Sequence, residues 1–329
     1  MRFFIAMPRA VLSATILLCL SAASALSATP AVRVVTLGTG GGPVVRLKRA
    51  EEANALLVGD AVYLIDCGDR CLVQLSAAHI PLAKVQAIFI THYHQDHVGG
   101  LMPLLGIRWM TNVFSPLKLI GPPGLEQIAK GYRQAMQPSV DAGFGPTPDP
   151  LTRIEVHEVG VGGVFQDPNI KVIATENAHY TSPVANPAAK PKSYSYRIET
   201  PAGSIVFTGD TAPSPAVTAL AKGADLLISE VIDVPATVRL LEQQTQSQLP
   251  PQIRANMLRH LADDHMTPEQ VGQLAKDAGV KRVVLSHLAP GLDNEANPDA
   301  LYAAGVRRVF TGPVTVASDL DVFELNRAP

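Results

Sequence analysis

Three histidines and one aspartate fall within six residues of the stretch THYHQDHVGG, which overlaps the end of the apolar run VQAIFITH. Such a run is typical of a buried β-strand, so the polar residues would lie at its end. His92 and His94 are two residues apart and can face one metal ion from an extended loop. The adjacent Asp96 and His97 can turn toward a second ion. Because imidazole nitrogen and carboxylate oxygen are suitable zinc ligands, the stretch predicts a metal site.

Three more candidate ligands close other apolar segments. His179 ends VIATENAH, Asp210 ends SIVFTGD and His287 ends RVVLSH. Taken singly, each is more often an ordinary turn or loop residue than a ligand. Together with the first cluster they complete a set of seven candidate ligands: His92, His94, Asp96, His97, His179, Asp210 and His287.

The segments that must position these residues alternate between strand-like and helix-like patterns, without an internal repeat. VRVVTLG is predicted as the first strand, and ALLVGDAVYLIDCG as a hairpin that turns at Gly59-Asp60. Further strands are predicted in VQAIFITH, KLIG, RIEVHEV, IKVIATENAH, SYSYRIET, SIVFTGDT, ADLLISEV, RVVLSHL and RVFTG. Helical patterns occupy residues 71–78, 98–110, 124–136, 214–222, 236–262, 268–278 and 297–304. This alternation predicts layered α/β packing with two sheets.

Two segments depart from this alternation. Residues 137–150, QPSVDAGFGPTPDP, are rich in Gly and Pro and are predicted to form a loop. Residues 234–262 are amphipathic, with a break at Pro250-Pro251, and are predicted to form a helical lid insert. Because no clear linker divides the chain, residues 26–329 are predicted to form a single catalytic domain.

The N-terminus predicts export. The basic residues Arg2 and Arg9 both precede the apolar run AVLSATILLCL. This run is too short to span a bilayer as a permanent anchor. Ala23-Ser24-Ala25 matches a small-x-small cleavage site. Residues 1–25 are therefore predicted to be the signal peptide of a secreted or periplasmic protein without a stable membrane anchor. The alternative is an N-terminal membrane helix, but no basic stop-transfer flank follows the run.

The charge balance of the chain bears on its class of partner, and its cysteines bear on whether it contains a disulfide. The 329 residues carry 27 Lys and Arg against 29 Asp and Glu, so there is no basic excess of the kind that indicates nucleic-acid binding. Cys67 and Cys71, in DCGDRC, could pair in an oxidising compartment, but their spacing does not establish a disulfide. Two packed or half-buried thiols are the expected state.

In order along the chain, TLGTGGGP, LIDCGD, THYHQDHVGGL, FTGDT and LSHLAP resemble the metallo-β-lactamase-fold hydrolases. Within that superfamily they look most like the ribonuclease Z and arylsulfatase-like branch. The resemblance covers residues 32–314. It implies a four-layer αββα sandwich of two mixed β-sheets flanked by helices, with the site at one edge of the sheets.

The resemblance also implies a role for each candidate ligand. Two Zn²⁺ ions are expected, with Mn²⁺ or Fe²⁺ as alternatives. The ligands divide into a first set (His92, His94, His179), a second set (Asp96, His97, His287) and the bridging Asp210. Asp66, in LIDCG, would lie behind the ligands and orient a ligand histidine. A hydroxide bridging the metals would attack an anionic ester, because the site keeps residual positive charge.

Hydrolysis also needs a proton for the leaving oxygen. His265 precedes a helix that Thr267 can cap, and alone it could be a solvated histidine near a helix start. In the ribonuclease Z-like branch, a glutamate at the position of Glu230 pairs with a histidine at the position of His265. Glu230 would raise the pKa of the imidazole and make His265 a general acid. Asp96, His265 and Glu230 are the predicted catalytic residues.

The expected activity is zinc-dependent hydrolysis of a phosphodiester or sulfate ester, and the expected partner is a small anionic ester. Nucleic acid is not expected, because residues 137–150 lack Lys and Arg where the arm of the family that grasps RNA is basic. Members of the branch are often dimers, so a homodimer is one option.

Two alternatives remain open. A lactonase or β-lactamase would use a similar site, although Asp210 argues against a β-lactamase. A non-hydrolytic di-metal protein is the other, although redox relatives usually carry an acidic residue where His94 stands. Among the remaining residues, Arg46 and Arg49 could bind a substrate anion or lie in a solvated loop. His260 is expected on the lid helix rather than in the site.

Overall fold

The computed structural model describes residues 31–42, 44–143, 145–245, 250–293 and 297–325. Within these ranges the strands are β1 (Val32–Gly38), β2 (Ala53–Val58), β3 (Ala61–Ile65), β4 (Val85–Phe89), β5 (Leu117–Gly121), β6 (Ile154–Glu158), β7 (Gly162–Gln166), β8 (Lys171–Glu176), β9 (Tyr194–Thr200), β10 (Gly203–Phe207), β11 (Leu226–Ile232), β12 (Val283–Ala289), β13 (Val314–Val316) and β14 (Val322–Leu325). The α-helices are α1 (Cys71–Ala77), α2 (Gln95–Val98), α3 (Leu101–Met110), α4 (Leu125–Asp141), α5 (Pro215–Leu220), α6 (Val234–Thr245), α7 (Pro251–Asp263), α8 (Pro268–Ala278) and α9 (Ala304–Arg307). Short 3₁₀ turns cover Leu82–Lys84 and Pro187–Ala189, and a π-helical turn covers Asp299–Ala303.

In the described part of the chain, the strands form two seven-stranded mixed sheets. The first has the order β14-β1-β2-β3-β4-β5-β6 and the second the order β13-β12-β11-β10-β9-β8-β7. Strands β3 to β6 are parallel in the first sheet, and β10 to β13 are parallel in the second. Because β8 and β10 are both antiparallel to β9, β8 runs in the same direction as β10 and β12. Residues that follow these three strands therefore gather at one edge.

Three apolar clusters define the layers. Between the sheets, the rings of Phe89 and Tyr196 lie 5.8 Å apart within one large core. The outer face of the first sheet packs against α1, α3 and α4, with Leu104 fully buried there. The outer face of the second sheet packs against α5, α8 and α9 around Val271. The prediction of a four-layer αββα sandwich is confirmed.

Some local predictions are wrong. RVFTG, predicted as a strand, lies in a turn after α9, and the next strand begins at Val314. Its apolar character has another cause, because Phe310 packs into the cluster around α8. Strands β7 and β14 were not predicted; both are short edge strands. Residues 137–141, predicted as loop, continue α4 beyond Pro138, and the Gln137 side chain donates to Asp141 at 2.7 Å across the last turn.

The predicted lid segment contains α6 and α7, whereas residues 246–249 between them lie outside the described residues. The two helices are connected by an ion pair between Glu242 and Arg254. The predicted signal peptide, residues 1–25, also lies outside the described residues. In the part of the chain that is described, no helix has the length and apolar character needed to cross a membrane. A single domain over residues 26–329 stays a prediction.

The expectation of two separate thiols is wrong. Cys67 and Cys71 form a disulfide, and both side chains are fully buried. The chain turns sharply between them, with the amide of Cys71 donating to the carbonyl of Gly68 at 3.2 Å and Arg70 in the left-handed region. This turn places the Cα atoms 5.3 Å apart, within the usual range for a disulfide.

Candidate metal centre and proton donor

All seven candidate ligands lie at one edge of the sandwich. Those of the first sheet follow β4 or lie on α2, and those of the second sheet lie at the ends of β8, β10 and β12; in that order they are His92, His94, Asp96, His97, His179, Asp210 and His287. The common direction of these strands brings distant parts of the chain together. Buried apolar strands thus position most of these residues at or just beyond a strand end, whereas Asp96 and His97 lie on α2 and His287 lies within β12.

The ligand atoms form two groups that share Asp210. One group is His92, His94, His179 and Asp210, the other is Asp96, His97, Asp210 and His287, and within each group the ligand atoms lie within 4.8 Å of one another. Asp210 Oδ1 lies 3.3 Å from His97 Nε2, and its Oδ2 lies 3.3 Å from His287 Nε2 and 3.8 Å from His92 Nε2. These are the two sets, with the same bridging residue, that the resemblance implies.

Protonation and hydrogen bonding in these groups fit divalent cations. Burial lowers the pKa of His92 and His179 well below the usual value, so both rings are in the neutral form that binds metals. Among the described residues, His92 Nε2, His97 Nε2 and Asp210 Oδ1 are buried without a hydrogen-bond partner. Leaving such atoms unpaired is costly, and cations at the centre of each group would satisfy all three.

The charge of the second group also favours the binding of metal cations. Burial alone would lower the pKa of His287, but Asp210 and Asp96 raise it to about 9. Burial opposes the same effect at His97, where the Asp210, Asp96 and Asp66 carboxylates raise the pKa well above its usual range. Carboxylates that draw protons onto buried imidazoles create an excess of negative charge that metal cations would offset.

Two ligand rings are oriented through the nitrogen that faces away from the groups. His97 Nδ1 donates to Asp66 Oδ2 at 2.8 Å, and Asp66 also accepts from the amide and hydroxyl of Thr91. His179 Nδ1 donates to the backbone carbonyl of Asp264 at 3.1 Å. Such contacts fix the ring and leave Nε2 for a metal. Asp66 therefore lies where the resemblance places it, with φ at 58°, in the left-handed region that non-glycine residues rarely adopt.

The glycine-rich turn after β1 packs directly on the second group. The amide of Gly42 donates to Asp96 Oδ2 at 2.6 Å. A Cβ atom on Gly42 would lie 2.6 Å from the same oxygen, and one on Gly41 would lie 2.6 Å from the ring of His287. Only glycine allows the backbone to approach the ligands this closely.

His265 and Glu230 form a buried pair beside the ligands. His265 Nδ1 donates to Glu230 Oε2 at 2.6 Å, and the other carboxylate oxygen accepts from the Thr211 amide at 2.5 Å. Burial alone would lower the pKa of His265, but the Glu230 carboxylate raises it above the usual value. With Nδ1 engaged, Nε2 is the atom available to the cavity that His265 lines. Thr267 caps the start of α8, as the sequence predicts, and Gln270 completes a capping box there.

His260 lies on α7 as expected, but it also borders the site, so its exclusion from the site is wrong. Its ring centroid is 4.9 Å from that of His179 and 5.3 Å from that of His265. His260 Nδ1 donates to Asp264 Oδ2 at 2.8 Å, and Asp264 Oδ1 accepts from Thr181. Asp264 was not among the predicted site residues. The only signal in the sequence is the pair of aspartates before His265, and nothing in that pair distinguishes the buried member.

The two arginines have structural contacts instead of the expected alternatives. Arg46 is buried and donates to the carbonyls of Gly41 and Val44. Arg49 donates to the hydroxyl of Thr39 and to a backbone carbonyl near the C-terminus. Both guanidinium groups therefore hold the loop that carries the glycine-rich turn.

Two mixed sheets packed between helices, with histidines and aspartates that could hold metal ions at one edge, define a hydrolase of the metallo-β-lactamase fold. The chain belongs to this superfamily, because residues 62–288 match the family described as the beta-lactamase superfamily domain.

The chain is similar to enzymes named ribonuclease Z. It is 30% identical over 307 residues to one from a Mycobacterium species, covering 90% of this chain and 96% of the relative. To one from Mycobacterium bovis it is 28% identical over 308 residues, covering 90% and 99%. The names of these relatives weigh against the expectation that nucleic acid is not a partner.

Solved structures show the same fold at lower identity. The metallo-β-lactamase fold protein YhfI from Bacillus subtilis has a TM-score of 0.63 and 21% identity, covering 89% of this chain and 99% of that chain. The short form of human tRNase Z has a TM-score of 0.61 and 22% identity, with the same coverage. At these identities the likeness shows the fold alone.

Proposed function

We propose that this protein is a binuclear zinc hydrolase of a small phosphodiester, with His265 and Glu230 as its proton-donor pair. The observation that carries the proposal is the 2.6 Å contact between these two side chains beside the seven candidate ligands. Expulsion of an alkoxide from phosphorus needs a proton, which a metal site alone does not supply. Five imidazoles and two carboxylates form a donor set that suits zinc, with manganese and iron as alternatives.

The residues of the chain divide this task. Two divalent ions in the ligand groups would polarise the phosphate and activate the attacking water. Asp66 and Asp264 hold two ligand rings in place. Glu230, fixed by the Thr211 amide, keeps His265 charged and oriented, so that its Nε2 can donate a proton to the leaving oxygen.

A small ester is preferred to RNA for reasons of charge. The chain has a formal net charge of −2, and residues 137–150 carry aspartates but no Lys or Arg. A long polyanion would need basic side chains along its path. A sulfate ester shares the size and negative charge of the small phosphodiester and is the second substrate to test.

The experiment compares substrate classes on one preparation. The mature protein, metal-free and then loaded with Zn²⁺ or Mn²⁺, is assayed with bis(4-nitrophenyl) phosphate, 4-nitrophenyl sulfate, a lactone, nitrocefin and a short single-stranded RNA. We expect metal-dependent hydrolysis of the phosphodiester and weak or no cleavage of RNA. Activity on nitrocefin alone, or on RNA in large preference to the small diester, would overturn the proposal.

We also propose that the protein is exported, on the basis of the signal-like sequence of residues 1–25. In a bacterial host, the full-length chain should appear in the periplasm or medium, shortened at its N-terminus. A chain that keeps its N-terminus in the cytoplasmic fraction would contradict this.

A further inference from the structure

A cavity of about 440 Å³ opens directly onto the candidate metal centre. One side is formed by ligand residues and His265. The other side is formed by four aliphatic side chains: Val45, Leu241, Met257 and Leu261. The volume lies within the range of small-molecule sites, roughly 300–1,000 Å³. Hydrolysis of an ester does not by itself require an apolar wall of this kind. The wall therefore indicates that an apolar part of the substrate binds there.

The apolar wall is held in place by a small core beneath it. Leu241 and Leu261 are 4% and 6% exposed and pack with Ile232 at the end of β11. Met257 is half-buried and packs against the same cluster. These three side chains therefore have defined positions before a substrate arrives, which reduces the entropy lost on binding, whereas Val45 is 77% exposed.

The aliphatic wall of the cavity offers no counter-charge for a second anionic group on the substrate. Among the described residues that line it, none is Lys or Arg, and Glu51 adds a carboxylate. A phosphate held at the metal centre would meet cations there, but any further phosphate on the substrate would find no counter-charge along the wall. An apolar substituent, in contrast, gains free energy in proportion to the area it buries.

A second cavity, of about 390 Å³, is lined by one of the same candidate ligands, His94. His94 and His260 line both cavities, so the two meet at the first ligand group. A phosphodiester has two substituents on phosphorus, and the two cavities offer a separate place for each. A phosphomonoester would use only one of them.

We infer that the substrate is a phosphodiester that carries an aliphatic or aryl substituent in the cavity lined by Val45, Leu241, Met257 and Leu261. This inference rests on the hydrolase function proposed above. It adds the substrate class, an apolar ester with one negative charge, and names the residues of α6, α7 and the loop before β2 that select it.

The test varies the apolar substituent while the leaving group stays the same. Methyl, propyl and hexyl 4-nitrophenyl phosphates are assayed with the zinc-loaded protein. We expect kcat/KM to rise roughly threefold to fourfold per methylene until the cavity is filled. The Met257→Gln variant, similar in volume but polar, should reduce the hexyl-to-methyl ratio at least about tenfold. Met102→Gln, at a half-exposed methionine on α3, is the matched control and should keep the wild-type ratio.

A binding measurement separates this inference from the proposed function. Methyl-, propyl- and hexylphosphonate are titrated by calorimetry into the zinc-loaded protein, with and without Met257→Gln. If no diester is hydrolysed but affinity still rises with chain length in the wild type and not in the variant, the hydrolase proposal fails and the apolar cavity stands. Equal affinity for the three phosphonates, or equal kcat/KM for the three diesters, would overturn the inference.

Discussion

Replacing His265 with asparagine should impair the cleavage of esters with poor leaving groups far more than that of esters with good ones. The asparagine side chain is smaller than the imidazole ring and would fit in its place. Its amide is too weak an acid to protonate a leaving oxygen. A nitrophenolate leaves without a proton, whereas a phenolate and above all an alkoxide need one. The variant therefore separates proton donation from all other contributions of the residue.

The size of the effect follows from the contacts. His265 is 7% exposed, donates to Glu230 at 2.6 Å and has a pKa that this carboxylate raises against the effect of burial, which favours the acid form. A positioned general acid contributes about 10²–10⁴-fold in rate. We expect a loss of that order for a methanol leaving group, and less than about tenfold for 4-nitrophenol. The ratio of the two losses should therefore exceed about 10.

The assay is a series of methyl phosphodiesters whose second group is 4-nitrophenol, phenol or methanol. A plot of log kcat/KM against leaving-group pKa should be steeper for His265→Asn than for the wild type. Glu230→Gln should steepen it less, because an uncharged partner still holds the ring. His79→Asn is the matched control, since His79 is exposed on the loop after α1.

The variant should remain folded. Burial already raises the pKa of the Glu230 carboxyl, so without its partner this group can take up a proton rather than remain as an isolated buried charge. Thermal melting and metal content verify this before the kinetics are compared. Equal losses across the whole series, with an unchanged slope and two bound metals, would refute proton donation by His265.

Four further predictions concern the ligand groups. Asp66→Asn should weaken metal binding by about 10- to 100-fold in a chelator competition, and unchanged affinity would remove its orienting role. Gly42→Ala places a Cβ 2.6 Å from the Asp96 carboxylate, so metal analysis should show a stoichiometry falling from two toward one; two tightly bound ions would contradict this. Asp264→Ala leaves the loop after His179 without its acceptor and should lower the free energy of unfolding by about 1–3 kcal/mol in urea titrations, whereas no change would show that the contacts are replaceable. Chelation with EDTA should lower the Tm reversibly, because ligands bound only by the folded state stabilise it, and an unaltered Tm would argue against buried metals.

The ligand set could be predicted from the sequence because each member has a local signal. Asp210 and His287 each close an apolar run that is typical of a buried strand, and they become informative only together with the first cluster. His92 and His94 add the density of the cluster. The order of the strands could not be derived from these runs, and the resemblance to a known fold supplied only the layers and the edge at which the site lies.

Other features depend on long-range packing that leaves no local pattern. Asp264 matters because helix α7 brings it against Thr181, more than eighty residues away. Cys67 and Cys71 pair because of a turn whose geometry their spacing does not specify. Phe310 looked like part of a strand because a residue buried under a helix is as apolar as one buried in a sheet.

Helix α7 links the shape of the apolar wall to the position of the candidate metal ligand His179. Helix α7 contributes Met257 and Leu261 to the apolar wall, and the chain at its C-terminal end contributes Asp264, whose carbonyl orients the ligand His179. A substitution that shifts this helix to admit another substrate would therefore also move the contact that holds a metal ligand. Substitutions in the wall that change substrate preference should therefore alter the affinity of the first ligand group for a metal ion. They should spare the second group, which Asp66 orients from the opposite sheet. Relatives that share the ligand set but differ in this segment can accordingly differ in substrate without any change in the ligands themselves.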